Sequence, residues 1–306
     1  MGELVRRTSL FVPVNKPRFV ETAWTRRADA IILDLEDSVP GPEKANARAL
    51  VRDSIPIVAK GGADVLVRMN KDQIEDDLEA SVWPGLACIM LPKAETAAEL
   101  WALDGALGRL ERERGLGQGS VQIALLIESA RGVWNLHEVL HASKRIVTVS
   151  AGGLDMMLDL GQEPGGGADT NAYIRGRALV LARLAGVQPQ GMAGAPRGAA
   201  GADTRFEAAV ASRKAGFRGT NLTHPDGIDS INRGFTPQAE DLEYARKVIA
   251  AYQDGLRQGI GAVGLDGQMV DLPVVLRVQR LIERAQEIES FEARKAAAGA
   301  AAGGRI

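Results

Sequence analysis

Short apolar runs alternate with longer amphipathic stretches along most of this 306-residue chain. Several of the short runs, such as AIIL at 30–33 and IALLI at 123–127, are continuously apolar, which is typical of strands that are covered on both faces. Eight strands are predicted, at residues 9–14, 30–34, 65–70, 88–92, 121–127, 146–150, 187–192 and 219–223.

The stretches between the strands carry apolar residues at helical spacing. They predict helices at residues 17–28, 43–59, 94–114, 130–142, 172–185 and 204–215, while 71–85 is shorter and more polar. Strands joined by helix-length connections indicate a parallel α/β sheet, and eight strands close a (β/α)8 TIM barrel. An open doubly wound sheet has similar local patterns and stays open as an alternative.

The chain continues beyond the eighth strand. A helical pattern covers about 236–256, a glycine-rich turn follows, and a last helix is predicted at about 273–290. We therefore divide the chain into a barrel at 1–235, a C-terminal helical extension or lid at 236–295, and a flexible Ala/Gly-rich tail at 296–306. The glycine-rich stretch 161–169 is predicted to be a mobile loop.

Composition excludes several classes of protein. The net charge is −2 and no long basic run is present, so a nucleic-acid partner is not expected. No run of about 18 apolar residues and no secretory signal is found, so neither a membrane span nor export is expected, and a cytoplasmic location follows by default. The single cysteine, Cys88, lies within an apolar run and is predicted to be a buried strand residue.

Charged residues are concentrated where the apolar strands end, which is where barrel enzymes place their catalytic groups. Any one of them could be a solvated strand end or a helix cap, but at least five strands share the pattern. The residues concerned are Asp34, Glu36, Asp37, Arg68, Asn70, Lys93, Glu128, Asp155 and His224.

Two of these acids predict a metal site. Glu128 ends a very apolar strand, where a carboxylate is costly unless it is paired or bound to a metal. Asp155 follows Gly152 and Gly153, which allow a tight backbone approach. Two carboxylates from adjacent strands suit Mg²⁺, which keeps several water ligands. No cluster with zinc spacing is present.

Basic residues near the same strand ends could meet an anion. Arg68 could stabilise an enolate or clamp a carboxylate, with help from Asn70, or it could form a salt bridge to a strand-two acid. Arg18 could meet an anion at the amino end of the first helix. Lys93 faces several carboxylates and is expected to stay protonated, which argues against a Schiff base. Lys44 is assigned to the solvated surface.

The order of these motifs resembles the citrate lyase beta-subunit-like family, which belongs with the HpcH/HpaI aldolases and malyl-CoA lyases. The matching segments are SLFVP (9–13), PR (17–18), AD (28–29), ILDLED (32–37), Lys44, AR (47–48), VRMN (67–70), LPK (91–93), LIESARG (126–132), LD (154–155), LG (160–161), GF (216–217), HP (224–225), IN (231–232), FTP (235–237) and GQMVD (267–271).

This resemblance implies a Mg²⁺-dependent carbon–carbon lyase that uses a CoA thioester and a 2-keto acid. It makes Glu128 and Asp155 the metal ligands, with Glu36 and Asp37 orienting metal-bound water. Arg68 would stabilise the enolate or a carboxylate.

The resemblance also implies a homo-oligomer, a trimer or hexamer, in which Asp271 of a neighbouring copy completes the site. Capping of the helix that begins at Pro273 explains Asp271 equally well. Arg18, Asn70 and Lys93 are assigned to binding of the substrate or cofactor.

Two departures from the family pattern concern CoA recognition. The lysine expected before the His-Pro motif is replaced in Gly219-Thr220, and 192–197 lacks the usual aspartates. Three alternatives therefore stay open: an acyl-CoA thioesterase, an aldolase that acts on free keto acids without CoA, and a non-catalytic relative.

Overall fold

Parallel strands lie side by side in a closed ring in the computed structural model, which describes residues 3–163, 170–192 and 201–303. Within these residues the ring consists of β1 (Thr8–Pro13), β2 (Ala30–Asp34), β3 (Asp64–Arg68), β4 (Cys88–Leu91), β5 (Gln122–Ile127), β6 (Ile146–Ala151), β7 (Gln188–Gln190) and β8 (Thr220–Leu222).

The ring closes on both sides of β8. This strand pairs in parallel with β1, and a parallel bridge joins Gln190 at the end of β7 to Gly219 just before β8. A side chain at Gly219 would place its Cβ 2.0 Å from the carbonyl oxygen of Arg6, so only glycine fits at this closure. The predicted (β/α)8 barrel is confirmed, and the open sheet is excluded.

Neighbouring residues on one strand contribute to different apolar clusters, which explains the continuous apolar runs. Ile32, Leu66 and Cys88 belong to a small cluster of strand residues, whereas Ile31 and Leu33 pack in the large cluster that includes the helices. Burial raises the pKa of the Cys88 thiol to about 11, which agrees with a structural cysteine.

The described helices are α1 (Pro17–Ala23), α2 (Lys44–Val58), α3 (Ile74–Ser81), α4 (Ala97–Glu113), α5 (Ala130–Trp134), α6 (Leu136–His141), α7 (Leu154–Asp159), α8 (Thr170–Ala185), α9 (Ala202–Ala215), α10 (Ile228–Phe235), α11 (Ala239–Arg257) and α12 (Leu272–Ala301). None of them is both long and apolar enough to cross a membrane.

Several helices differ from their predicted bounds. The helix predicted at 130–142 is divided at Asn135, whose side chain donates a 2.9 Å hydrogen bond to the carbonyl of Glu95. The polar segment 71–85 contains α3, and its buried Asp77 is paired with Arg48 of α2 at 2.7 Å.

The glycine-rich turn forms an antiparallel pair, β9 (Val263–Leu265) and β10 (Gln268–Val270). Of the predicted 161–169 loop, residues 164–169 lie outside the described part of the chain.

The tail that the sequence predicts from residue 296 begins within α12, which continues as a helix to Ala301. Alanine favours the helix, and α12 is held against the barrel near its end. Lys295 donates 2.9 Å hydrogen bonds to the Arg27 carbonyl and to Asp29, and α12 passes so close to Gly62 that a Cβ there would lie 3.0 Å from Lys295 Cα. Within one chain α12 thus contacts the segments that precede the strands. The division at 235 and 295 stays a prediction.

Asp29 links α12 to the barrel through buried ion pairs. It accepts hydrogen bonds of 2.7 and 2.8 Å from Arg7, and Lys295 approaches it from α12. Burial alone would raise the pKa of Asp29, but Arg7 and Lys295 hold it below its ordinary value.

We expect Asp29→Asn to lower the free energy of unfolding by about 3 kcal/mol at about pH 7, because two buried cations lose their carboxylate. Since the folded pKa is depressed, this contribution is present above the unfolded pKa of about 3.9 and is lost as the pH falls through the folded value. Urea midpoints of parent and variant should therefore converge in acid. A difference that stays constant with pH would contradict this account.

Candidate active site

The acids that follow β2 surround the guanidinium of Arg68 at the end of β3. Nε and Nη2 of Arg68 donate to the two oxygens of Asp34, each at 2.7 Å. Its Nη1 lies 2.8 Å from Oε2 of Glu36 and 3.0 Å from Oδ2 of Asp37. The Phe11 ring packs against the guanidinium, 4.5 Å from its centroid to Cζ. The salt-bridge interpretation of Arg68 is correct for all three acids at once.

This network shifts the pKa values of its members. Burial would lower the pKa of Arg68 and raise that of Asp34, but their bidentate pairing outweighs burial and moves both values the other way. The pKa of Glu36 is instead raised, first by burial and further by Asp37, against the opposing charges of Arg68 and Lys93. The cluster therefore holds more carboxylates than one guanidinium can neutralise.

Lys93 brings a second cation to the cluster. Its backbone has φ of 51°, in the left-handed region, and its Nζ lies 3.1 Å from Glu36 and 3.8 Å from Asp155. Burial lowers its pKa, but these carboxylates outweigh burial and raise it above the ordinary value. Lys93 is therefore protonated, as the sequence predicts, and is unsuited to forming a Schiff base.

Glu128 follows β5 and lacks a partner for one oxygen. Its Oε2 is buried and accepts no hydrogen bond from any described residue. Burial raises the pKa of Glu128 to about 7, and the charges of Glu36 and Asp155 raise it further than Arg68 and Lys93 lower it. A carboxylate with a buried, unpartnered oxygen is costly unless a cation is added.

Two glycines bring the next strand end close to Glu128. Gly152 and Gly153 have φ of 121° and 103°, which other residues rarely adopt, and a Cβ at Gly153 would lie 3.7 Å from Oε1 of Glu128. Asp155 follows in the first turn of α7, with its side chain 38% exposed. Asp155 is thus open to solvent beside a carboxylate that lacks a counter-ion.

The described residues contain no group of three or more His, Cys, Asp or Glu side chains placed to hold a metal ion together. The predicted site needs only two protein carboxylates, because Mg²⁺ keeps most of its water ligands. The buried, unpartnered oxygen of Glu128 and the neighbouring acids fit a hard divalent cation.

Asn70 and Lys44 hold the loop after β2 in place. Lys44 donates to the carbonyls of Leu35 and Glu36 at 2.7 and 2.6 Å and to Oδ1 of Asn70 at 2.5 Å. The Asn70 amide donates to Leu35 and Asp77, so its side chain is fully engaged. The assignment of Lys44 to the solvated surface is wrong, because its ammonium is bound by these oxygens. Asn70 positions the loop and has no free polar atom for a ligand.

A second network was not predicted. Lys71 donates to the carbonyl of Lys93 at 2.6 Å and lies 3.2 Å from Glu95. The Ser129 hydroxyl donates to Glu95 at 2.6 Å, and this bond lowers the pKa of Glu95. These residues also follow strand ends, so the rule that identified Arg68 and Glu128 could have found them. The network supports the backbone of Lys93 and the start of α5.

Two predicted residues lie outside the cluster. Arg18 is exposed in α1, with its guanidinium 5.1 Å from the Phe19 ring centroid. Asp271 caps α12 by accepting a 3.2 Å hydrogen bond from the Val274 amide. This confirms the capping interpretation of Asp271 and does not test its contribution to a neighbouring copy. Of the departures near β7, residues 193–197 lie outside the described chain.

Comparisons with known proteins agree with this geometry. The model of the HpcH/HpaI aldolase/citrate lyase family matches residues 7–225. Citrate lyase subunit beta of Leuconostoc mesenteroides is 34% identical, over 93% of this chain and 94% of the relative. A (3S)-malyl-CoA thioesterase of Cereibacter sphaeroides is 30% identical, over 94% and 97%. The protein CitE of Mycobacterium tuberculosis, solved with magnesium, acetoacetate and coenzyme A, is 27% identical, with a TM-score of 0.71 over 92% and 98% of the two chains.

Proposed function

Because the chain belongs to the HpcH/HpaI aldolase/citrate lyase family, we propose that it is a Mg²⁺-dependent carbon–carbon lyase that cleaves or forms a 3-hydroxyacyl-CoA-type thioester. The observation that carries this proposal is Glu128, a carboxylate with a buried, unpartnered oxygen beside Asp155 and Glu36. The related protein solved with magnesium and coenzyme A supports the choice of ion and substrate class.

In this proposal Glu128 and Asp155 hold the ion, while Glu36 and Asp37 orient the water around it. When bound, Mg²⁺ supplies a Lewis acid that polarises the oxygens of a 2-keto acid. The protein holds the acids in place, since Glu36 is fixed from both sides by Arg68 and Lys93. No residue of the cluster is suited to Schiff-base chemistry, so enolate charge must be stabilised by cations.

Arg68 would stabilise the enolate oxygen or a substrate carboxylate. Its Nε and Nη2 donate to the buried Asp34, whereas Nη1 lies between Glu36 and Asp37, and the Asp37 side chain is 58% exposed. An anionic substrate oxygen would therefore replace Asp37 at Nη1 and leave the pair with Asp34 intact. The proximity of Phe11 keeps the guanidinium plane fixed during this exchange.

Assembly into a homo-oligomer, a trimer or a hexamer, is part of the proposal. The β9–β10 pair and the start of α12 expose Met269 (69%), Leu272 (51%) and Leu276 (46%). Exposed apolar side chains on both sides of Asp271 would be buried if this segment contacted a second copy. Asp271 of that copy would then approach the mouth and take part in proton transfer. The cytoplasmic location stays a prediction.

Asp271→Asn is expected to lower kcat more than it changes KM, because an amide keeps the cap geometry but cannot exchange a proton. We expect a fall of about 10²–10⁴ in kcat, the usual contribution of a general acid or base. Steady-state kinetics with a citryl- or malyl-type thioester measures it, and an exposed acid outside the segment, Glu138→Gln, is the control. Unchanged turnover would leave Asp271 as a structural cap.

Identification of products separates the proposed activity from its alternatives. A panel of hydroxyacyl-CoA thioesters is incubated with and without Mg²⁺, and the products are resolved by mass. Acyl-CoA plus a keto acid supports the lyase, whereas free CoA plus the intact hydroxy acid supports a thioesterase, which the Cereibacter relative makes a specific second candidate. Cleavage of a free hydroxy keto acid without CoA would favour the aldolase. Mg²⁺ binding without turnover would indicate a non-catalytic relative.

A further inference from the structure

A large basic cavity lies at the end of the barrel opposite to the acidic cluster. Its volume is about 1010 Å³, and it is bounded by α8, α9, α11, α12 and the segment before β8. Arg218 directly precedes β8 and Arg183 lies near the end of α8 before β7, so both belong to the amino-terminal end of the strands. The acidic cluster follows the carboxyl ends, and the cavity is therefore a separate site.

The cavity carries an excess of positive charge. Seven arginine and lysine side chains of the described chain line it, against three carboxylates. One of these carboxylates, Asp241, is paired with Arg213 at 2.7 Å. Glu3 is 53% exposed and lies 3.8 to 4.0 Å from Arg183, Arg218 and Arg284, which is too far for hydrogen bonds. Glu287, which lies 3.5 Å from Arg284, is the other carboxylate beside these three guanidinium groups, so the arginines still outnumber the acids around them.

Arg284 is buried and only partly satisfied. Its side chain is 6% exposed, and its Nη1 donates to the Leu4 carbonyl at 2.8 Å and, more weakly, to Oε2 of Glu287 at 3.5 Å. Its Nε and Nη2 have no hydrogen-bond partner among the described residues. A buried charged donor without an acceptor is costly, so these two nitrogens favour an added anion.

Arg218 repeats this arrangement beside Arg284. Its Nε is buried and has no hydrogen-bond partner in the part of the chain that the structure describes. Burial lowers the pKa of Arg218 to about 10, and the charges of Arg183, Arg284 and Arg213 lower it further than Glu3 raises it. The charges around Arg218 therefore repel each other, and a polyvalent anion would relieve this repulsion.

We infer that this cavity binds a small organic oxyanion that carries at least two negative charges and an apolar group. Arg218 and Arg284 supply the unsatisfied donors for the oxyanion. Phe235, Tyr244 and Leu281 line the same cavity and supply apolar contact. The site shares no residue with the acidic cluster, although Leu276, which lines the cavity, belongs to the segment proposed to contact a second copy.

Calorimetric titration of the full-length protein with phenyl phosphate tests this inference. The probe is a dianion at about pH 8, since the second phosphate pKa is about 6. At constant ionic strength we expect saturable binding that weakens about tenfold in Arg218→Gln, the effect of losing one charge-assisted hydrogen bond. Glu3→Gln should bind more tightly than the parent, because the internal competitor for the arginines is removed.

Arg246→Gln is the matched control, since Arg246 is exposed on α11 and does not line the cavity. Its Kd should stay within about twofold of the parent value, and thermal melts should show that each variant is folded. Absence of saturable binding would overturn the inference. So would equal affinities in the parent, Arg218→Gln and Glu3→Gln, which would place phenyl phosphate elsewhere on the protein.

Discussion

Glu128→Gln and Glu128→Ala are expected to lower the Mg²⁺-dependent activity more than about a hundredfold while keeping the fold. Even substitutions of residues that hydrogen-bond to a metal ligand lower metal affinity or activity about ten- to hundredfold. The carboxylate of Glu128 is the acid of the cluster that lacks a counter-charge for a buried oxygen. An amide keeps the size of the side chain but removes the charge that would hold the ion. Initial rates across a Mg²⁺ titration measure the effect.

Stability provides a second measurement that does not depend on turnover. In EDTA, Glu128→Gln should melt at the same temperature as the parent or higher, because a half-buried acid without a partner is replaced by a neutral group. Adding Mg²⁺ should raise the Tm of the parent only. At a hundred times its Kd, a bound ion stabilises by about 2.7 kcal/mol.

Glu138→Gln makes the same chemical change on the exposed face of α6 and should behave like the parent. Full activity of Glu128→Gln in Mg²⁺ would show that the ion is not held by Glu128. A clear fall of its Tm in EDTA would show that the carboxylate is stabilised by the protein alone, which contradicts the argument from its unpartnered oxygen.

The sequence predicts which residues lie at the mouth of the barrel, because the rule used, that charged side chains lie at the ends of apolar strands, depends only on neighbouring residues in the chain. At least five of the strands end in charged side chains or are followed by them within a few residues, so Arg68, Glu128 and Asp155 can be located from the pattern alone. The same pattern does not show which atoms are already engaged. Asn70 is held by Lys44 and Asp77, and such contacts between separate segments appear only in the folded chain.

The C-terminal region shows the limit of local reasoning more clearly. Periodicity predicts a helix there, but the end of α12 depends on Asp29, which is 266 residues away from Lys295 in sequence. An Ala/Gly-rich segment would fray if it were exposed. Its close approach to Gly62 and the buried ion pair of Lys295 keep it helical, and neither is visible in composition.

Arg68→Met is expected to abolish activity and to lower the free energy of unfolding by about 3–5 kcal/mol, the usual cost of removing one partner from a buried ion pair. The substitution leaves the buried Asp34 without its bidentate partner and leaves Glu36 facing Asp37 and Glu128. Arg68→Lys keeps the charge but cannot form the fork, so it should recover part of the stability and little of the activity.

Urea unfolding distinguishes the loss of stability caused by breaking the Arg68 ion pairs from the effect of removing any arginine. Arg112→Met, on the exposed side of α4, should change the free energy of unfolding by no more than about 0.5 kcal/mol. If Arg68 acts through Asp34, the double variant Arg68→Met/Asp34→Asn will lose less free energy of unfolding than the two single variants lose together, by about 0.5–3 kcal/mol. Strict additivity would show that the two residues do not interact. The stability of the strand ends would then have to come from the Lys44 and Lys71 networks, which hold the loops after β2 and β4 by their backbone carbonyls.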